Sequence, residues 1–176
     1  MADIDPIRTA APAGLSLRRT TDADLAFLAE VYASTRYEEL LAVPWTDAQK
    51  AAFLRWQFEN QHSYYRQYYP ACEFLIVEKL AGPTTTPIGR LYVDRWPDQI
   101  RLVDVALLPQ YRGAGFGSAM LQSILAEARA TSLAVTIHVE ANNRALGLYR
   151  RLGFRHVDSN GVYYLMRYEP SRGTAA

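Results

Sequence analysis

Apolar residues recur along the chain in two rhythms. Short alternating or continuous apolar runs read as strands at Leu15 to Arg19, Glu73 to Lys79, Ile88 to Asp94, Ile100 to Leu108 and Ala134 to Glu140. A terminal hairpin, Phe154 to Val157 and Val162 to Tyr168, is turned by Asp158-Ser159-Asn160-Gly161. Between the strands, apolar positions fall three and four residues apart, the spacing of one helix face. Leu25, Leu28, Val31 and Tyr32 mark a first helix, opened by a capping box at Thr21-Asp22-Ala23-Asp24. A second box, Thr46-Asp47-Ala48-Gln49, follows the break at Pro44 and opens a long helix toward Tyr69, which Pro70 stops. Met120, Leu121, Ile124, Leu125 and Ala128 mark a third helix. Ala145, Leu148, Tyr149 and Leu152 mark a fourth, with Gly153 as its stop. The order β-α-α-β-β-β-α-β-α-β-β predicts a mixed sheet with helices on its faces, of the α/β or α+β class. Ala81 to Pro87 reads as a punctuated loop between two strands.

Length and composition narrow the picture. A chain of 176 residues is long enough for one domain with a real core. Residues 15–169 are expected to form it, flanked by tails 1–14 and 170–176 that lack periodicity and are expected to be disordered. The net charge of +1, from 19 basic and 18 acidic residues, gives no basic excess for nucleic acid. No apolar run reaches transmembrane length and no signal-peptide core is present, so no membrane partner is expected. Cys72 is the only cysteine, which excludes an internal disulfide and fits a reducing cytoplasm. It starts an apolar strand with no basic partner near it in sequence, so a buried structural role is expected. Three scattered histidines and one cysteine offer no metal-ligand spacing, and no metal is expected.

The chemistry concentrates where one strand hands over to a helix. Gln110-Tyr111-Arg112-Gly113-Ala114-Gly115-Phe116-Gly117 follows the Ile100 to Leu108 strand and Pro109, and precedes the third helix. The first amides of a helix point outward, and its dipole favours negative charge. Glycines let that backbone approach a ligand and take positive φ, and Arg112 adds a cation suited to phosphate. The segment therefore reads as a pyrophosphate cradle, the plain alternative being a glycine-rich turn that holds nothing. A dinucleotide fingerprint needs G-x-G-x-x-G, and Ser118 occupies the third glycine position, which disfavours a nicotinamide cofactor.

The segment resembles the coenzyme A loop of the GCN5-related N-acetyltransferase (GNAT) superfamily, Q/R-x-x-G-x-G/A, filled here by Gln110, Gly113 and Gly115. The preceding Val105-Ala106-Leu107-Leu108-Pro109 is similar to that family's strand end. A second motif, N-x-x-A-x-x-L-Y-x-x-x-G-F, is matched by Asn142, Ala145, Leu148, Tyr149, Gly153 and Phe154. The resemblance covers about residues 15 to 168 and implies the acyl-CoA N-acyltransferase fold, with acetyl-coenzyme A as co-substrate. It implies contacts to that co-substrate from Val105 and Leu107 on the strand, from Gln110, Arg112, Gly113, Ala114, Gly115, Phe116, Gly117 and Ser118 at the cradle, and from Asn142 and Tyr149 in the second motif.

The implied reaction is direct attack of a primary amine, from a small metabolite or a peptide, on the thioester. A backbone N–H near Leu107 would polarise the thioester carbonyl. Tyr149 would protonate the leaving thiolate, a role its hydroxyl suits because it stays protonated at neutral pH. Asp104 is the expected base; His138, Glu140, Asp94 or a water chain are the competitors. Alternation would set Asp104 and Leu107 on opposite faces unless a bulge intervenes. The other reading is a non-catalytic acetyl-coenzyme A sensor or interaction module. Tyr37, Trp45, Trp56, Phe58, Tyr64, Tyr65, Tyr68 and Tyr69, with Glu38 and Glu39, crowd the stretch between the first strand and the first hairpin. They read either as an acceptor wall that holds an ammonium group or as helix packing with a homodimer patch. Phe53 and Trp56 read as core.

Overall fold

The computed structural model describes residues 7–170. Among the described residues, seven strands form one mixed sheet in the order β1-β2-β3-β4-β5-β7-β6. They are β1 (Leu15–Arg19), β2 (Glu73–Ala81), β3 (Thr84–Arg95), β4 (Gln99–Leu107), β5 (Ala134–Glu140), β6 (Arg155–Asn160) and β7 (Tyr163–Tyr168). Among the described residues the α-helices are α1 (Leu25–Arg36), α2 (Asp47–Tyr68), α3 (Phe116–Thr131) and α4 (Leu146–Arg151). The element order is the one the apolar rhythm predicts.

Each face of the sheet buries its own cluster, as alternation along the strands requires. Ile100, Leu102, Val135, Ile137 and Val139 point to one face and pack with Met120, Leu121 and Ile124 of α3 and with Tyr149 of α4. Phe74, Ile76 and Tyr92 point to the other and pack with Leu28 and Tyr32 of α1 and Leu54 and Phe58 of α2. Cys72 belongs to this second cluster; burial, then the nearby Asp94 charge, pushes its thiol above the ordinary range, consistent with a structural role.

Several local expectations change. Thr84 to Pro87 pair with β2, so the punctuated segment turns only around Gly82 and Pro83. β-branched threonines suit a strand, and Pro87 lies beside a register shift that tolerates its missing N–H. In the terminal hairpin, Asp158 to Asn160 are strand rather than turn, paired with Leu165 to Tyr163. The Thr21 box caps a 3-10 turn, Asp22–Asp24, that leads into α1. The Thr46 box caps α2 as expected. Over its described part, the N-terminal stretch bonds to the sheet. The Arg8 N–H and the Thr9 N–H and hydroxyl donate to Glu73, and Arg95 bridges Glu73, Thr9 and Glu127. The rest of that expected tail, residues 1–6, and residues 171–176 at the other end lie outside the described residues. Among the described residues, no helix is long and apolar enough to cross a membrane.

Two irregularities in β4 position the site. The β3–β4 ladder skips Val103, pairing Val93 with Leu102 and Tyr92 with Asp104. Val103 is thus an extra residue, a bulge that bends its strand. On the other side, β4 pairs with β5 only from Gln99 to Leu102. Past the bulge the two strands part. Gly89 of β3 holds the remaining half of β4 close: a β-carbon there would lie 2.2 Å from the Ala106 carbonyl oxygen.

Candidate active site

The parting of β4 and β5 opens a slot of about 180 Å³, lined on its two sides by Val103 to Ala106 and by Ile137 to Glu140. Tyr32, Thr35 and Arg36 of α1, Gln61 and Tyr65 of α2, Arg90, Asn143, Tyr149 and Tyr163 complete the lining.

The backbone of the slot edge follows from the ladder. The Leu108 N–H donates to the Ile88 carbonyl, 2.9 Å. Antiparallel pairs alternate between bonded and unbonded, so the polar groups of Leu107 and Val105 point away from β3. That direction faces the slot. The Leu107 carbonyl takes the Arg112 Nε–H at 2.8 Å; the amide is the group left for a ligand.

The cradle continues this edge. Gly113 and Gly115 take φ of +76° and +88°, the left-handed region, and α3 begins immediately after them. Among the described residues, the amides from Gly113 to Ser118 donate to no protein group, whereas the Arg112 amide donates to the Pro109 carbonyl. The row of available donors therefore starts one residue later than the sequence suggests, and it includes Ala114, Phe116, Gly117 and Ser118. These donors at the start of a 16-residue helix fit a pyrophosphate group. The Arg112 guanidinium donates to the Leu107 carbonyl and to the Ser34 carbonyl and hydroxyl, tying β4 to α1. Gln110 lies in the 3-10 turn Pro109–Tyr111 and is exposed.

Tyr149 is 3% exposed, its ring edge-on to Phe154 at 5.5 Å, with its side chain lining the slot. Burial, and then the Asp104 charge, pushes its hydroxyl pKa above the ordinary tyrosine value, so it is protonated at neutral pH. The expected ligand Asn142 is exposed and is not among the slot-lining residues. Its neighbour Asn143 lines the slot, and its side chain accepts the Ala145 N–H at 2.8 Å where α4 begins.

Asp104 lies in the slot and is held by Arg90, Nη2 to Oδ2 at 2.7 Å, with Gln61 on the same nitrogen. The bulge precedes Asp104, so alternation from Asp104 to Leu107 is unbroken and they stay on opposite faces. Of the competing bases, Glu140 is in the slot and paired with Arg36 at 2.6 Å. Burial opposes the Arg36 charge, but its bonds to Glu140 and Glu39 hold its pKa above the ordinary value. His138 is also in the slot, bonded through Nδ1 to Arg101. Asp94 is not; it accepts the Arg95 N–H and the Trp96 indole N–H.

The aromatic stretch divides. Tyr65 faces the slot, where burial and then Asp104 raise its hydroxyl pKa, and Phe58 packs against Tyr32 in the core. Trp56, expected in the core, is 59% exposed, and Tyr64 and Tyr68 are exposed beside it on the same helix. Glu38 pairs with Arg144 and Glu39 with Arg36, and neither lines the slot. Thr35, Arg36, Arg90, Gln61, Asn143 and Tyr163 are the polar slot residues that sequence reasoning passes over. Their only local signal is ordinary polar character, because what places them in the slot is packing between distant segments.

The model of the acetyltransferase (GNAT) family matches residues 31–154. The ribosomal protein bS18-alanine N-acetyltransferase of Haemophilus influenzae is 32% identical over 68 residues, 38% of this chain and 47% of that protein. An N-alpha-acetyltransferase of Sulfurisphaera tokodaii is 35% identical over 66 residues, 36% of this chain and 40% of that protein. The chain thus aligns with less than half the length of either curated relative. Among solved structures, the PaiA N-acetyltransferase of Thermoplasma acidophilum, in complex with coenzyme A, superposes with a TM-score of 0.62 at 18% identity. The superposition covers 88% of this chain and 98% of that one, a likeness of fold. The matched span contains the slot edge, the cradle and Tyr149. The chain belongs to the acetyltransferase (GNAT) family.

Proposed function

We propose that the protein is an acetyl-coenzyme A-dependent N-acetyltransferase that moves an acetyl group to a primary amine by direct attack. The observation that carries this reading is the run of uncommitted amides from Gly113 to Ser118, continuous with the unpaired edge of β4 at Val105 and Leu107. The coenzyme A complex of the Thermoplasma acidophilum structure supports the ligand. Acetyl-coenzyme A would supply the activated thioester.

In this reading the Gly113 to Ser118 amides hold the pyrophosphate, and the Val105 and Leu107 backbone groups hold the pantetheine arm as an added strand. The Leu107 N–H stabilises the charge that develops on the carbonyl oxygen. Asp104 receives the ammonium proton through Oδ1, because Oδ2 is bonded to Arg90. Tyr149 gives its proton to the departing thiolate. The acceptor enters from the side of Tyr32, Tyr65 and Tyr163.

A second reading is a non-catalytic acetyl-coenzyme A-binding module. The observation that favours it is that both slot carboxylates, Asp104 and Glu140, are engaged by arginines. Thiol release from acetyl-coenzyme A over a panel of primary amines separates the two. Amine-dependent release supports the enzyme; tight binding without release supports the module.

A further inference from the structure

The slot is polar inside and aromatic at its mouth. Gln61 and Tyr65 of α2 line it. Tyr64, Tyr65 and Tyr68 follow Gln61 by three, four and seven positions, so they continue its face of the helix. Their rings form a row that leads from the slot to the surface. The Tyr65 and Tyr64 centroids are 6.2 Å apart, and those of Tyr64 and Tyr68 are 4.5 Å apart. Tyr65 is half-buried, whereas Tyr64 and Tyr68 are 51% and 60% exposed. From β7, Tyr163 also lines the slot and is 41% exposed, with Val162 66% exposed beside it. The Tyr163 hydroxyl donates to Glu140 at 3.4 Å and acts on the Tyr65 hydroxyl. Large apolar faces left open beside a polar slot are a place for the apolar part of a ligand.

The charges around this mouth leave no place for a second charged group. Arg36 holds both Glu140 and Glu39, and Arg90 holds Asp104. Arg101, bonded to His138, has the buried Asp94 opposite it in the β3–β4 register, and Asp158 acts on His138. Arg144 pairs with Glu38. The neighbouring cations without an ion pair turn elsewhere, Arg66 to Thr20 and the Phe74 ring, Arg112 to Leu107 and Ser34. A ligand carboxylate would therefore meet Asp104 and find no uncommitted cation. A second ammonium group would have to displace Arg36 from Glu140 or Glu39.

We infer that the acceptor is an arylalkylamine, a primary amine joined by a short chain to an uncharged aromatic ring, with no carboxylate beside the amine. Its ammonium group faces Asp104, and its ring lies on the tyrosine row at the mouth. Ring stacking favours a planar aromatic body over an alkyl chain of similar area. Tyr64 and Tyr68 set specificity and take no part in the chemistry. In the transfer, the amine nitrogen bonds to the acetyl carbon as the carbon–sulfur bond breaks. The products are the N-acetylated amine, the free coenzyme A thiol and one proton. The inference rests on the acetyltransferase reading for the identity of the slot as an acceptor site.

The test measures thiol release from acetyl-coenzyme A with phenethylamine, propylamine, putrescine, phenylalanine and a short peptide that begins with phenylalanine. Phenethylamine is expected to exceed propylamine by about tenfold in kcat/KM, and phenylalanine by about 100-fold. Tyr64→Ser combined with Tyr68→Ser should bring the first ratio toward one, through KM. Tyr64→Phe combined with Tyr68→Phe, which keeps the rings, should retain it. Equal rates for phenethylamine and propylamine, or a preference for phenylalanine, putrescine or the peptide, overturn the inference and leave the transferase reading intact. If no amine releases thiol, the transferase reading fails. The aromatic site is then tested by calorimetry of phenethylamine with the coenzyme A-saturated protein. Binding that the double serine variant weakens supports the site, and no binding overturns it.

Discussion

The two halves of β4 are built from one apolar run but have different fates. Gln99 to Leu102 bonds to β3 on one side and to β5 on the other, with Ile100 and Leu102 in the core under α3. Past the unpaired Val103, Asp104 to Leu107 keeps β3 and loses β5. The first half contributes stability. The second leaves backbone donors outside the sheet, the edge proposed to take a ligand, which is how a binding edge could exist inside a sheet without exposing a long edge strand. A bulge at Val103 and a glycine at position 89 separate the fates. The lesson is that side-chain pattern specifies a strand, while pairing on each side specifies what its backbone is for.

The largest test of this contrast replaces single backbone amides of β4 by esters. Removal of the Leu107 N–H should lower turnover by about 10²- to 10³-fold, the effect of one lost oxyanion donor, with little change in melting temperature. The same change at Ala106, which bonds within the β3 ladder, should instead cost about 1 kcal/mol of stability. Equal behaviour at the two positions would erase the distinction between the halves. Tyr149→Phe comes next. It should reduce kcat by about 10²-fold while isothermal calorimetry finds acetyl-coenzyme A affinity unchanged. Gly89→Ala forces a methyl against the Ala106 carbonyl and should cost about 2 kcal/mol, read as a fall of roughly 4 to 8 °C in melting temperature. Coenzyme A binding should weaken with it, because the open half of β4 shifts.

The smallest effect is on pH dependence. Burial raises the pKa values of Cys72, Tyr65 and Tyr149 in the folded protein. Groups whose folded pKa is raised stabilise the native state fully below their unfolded values and lose that contribution as pH rises through the folded ones. Stability to urea should therefore begin to fall above about pH 8.5, where an unfolded cysteine ionises, and fall faster above about pH 10, where unfolded tyrosines do. Cys72→Ala should remove the first part of the decline. A midpoint that stays level from pH 8 to 11 would contradict the burial of these groups.

Much of this architecture is legible in the residues. Apolar spacing at Met120, Leu121, Ile124 and Leu125 gives α3, and glycines between a strand and a helix give the cradle. Tyr149 is legible because its helix repeats Ala145, Leu148 and Leu152 around it. The illegible part is partner choice by polar groups. Arg112 has the residue type and place of a phosphate ligand, yet its side chain is taken by Ser34, 78 positions away. Asn143 rather than Asn142 faces the slot because the turn after β5 decides between adjacent side chains. Trp56 matches a helical apolar position, but α2 turns it outward.

The most direct measurement is amide hydrogen exchange, resolved residue by residue, with and without acetyl-coenzyme A. Bound ligand should slow exchange of the Gly113 to Ser118 amides and of Val105 and Leu107, while Ala106 and Leu108, already bonded to β3, change little. Protection that misses these amides, or none at saturating ligand, would contradict the assignment of the open half of β4 and its cradle to coenzyme A.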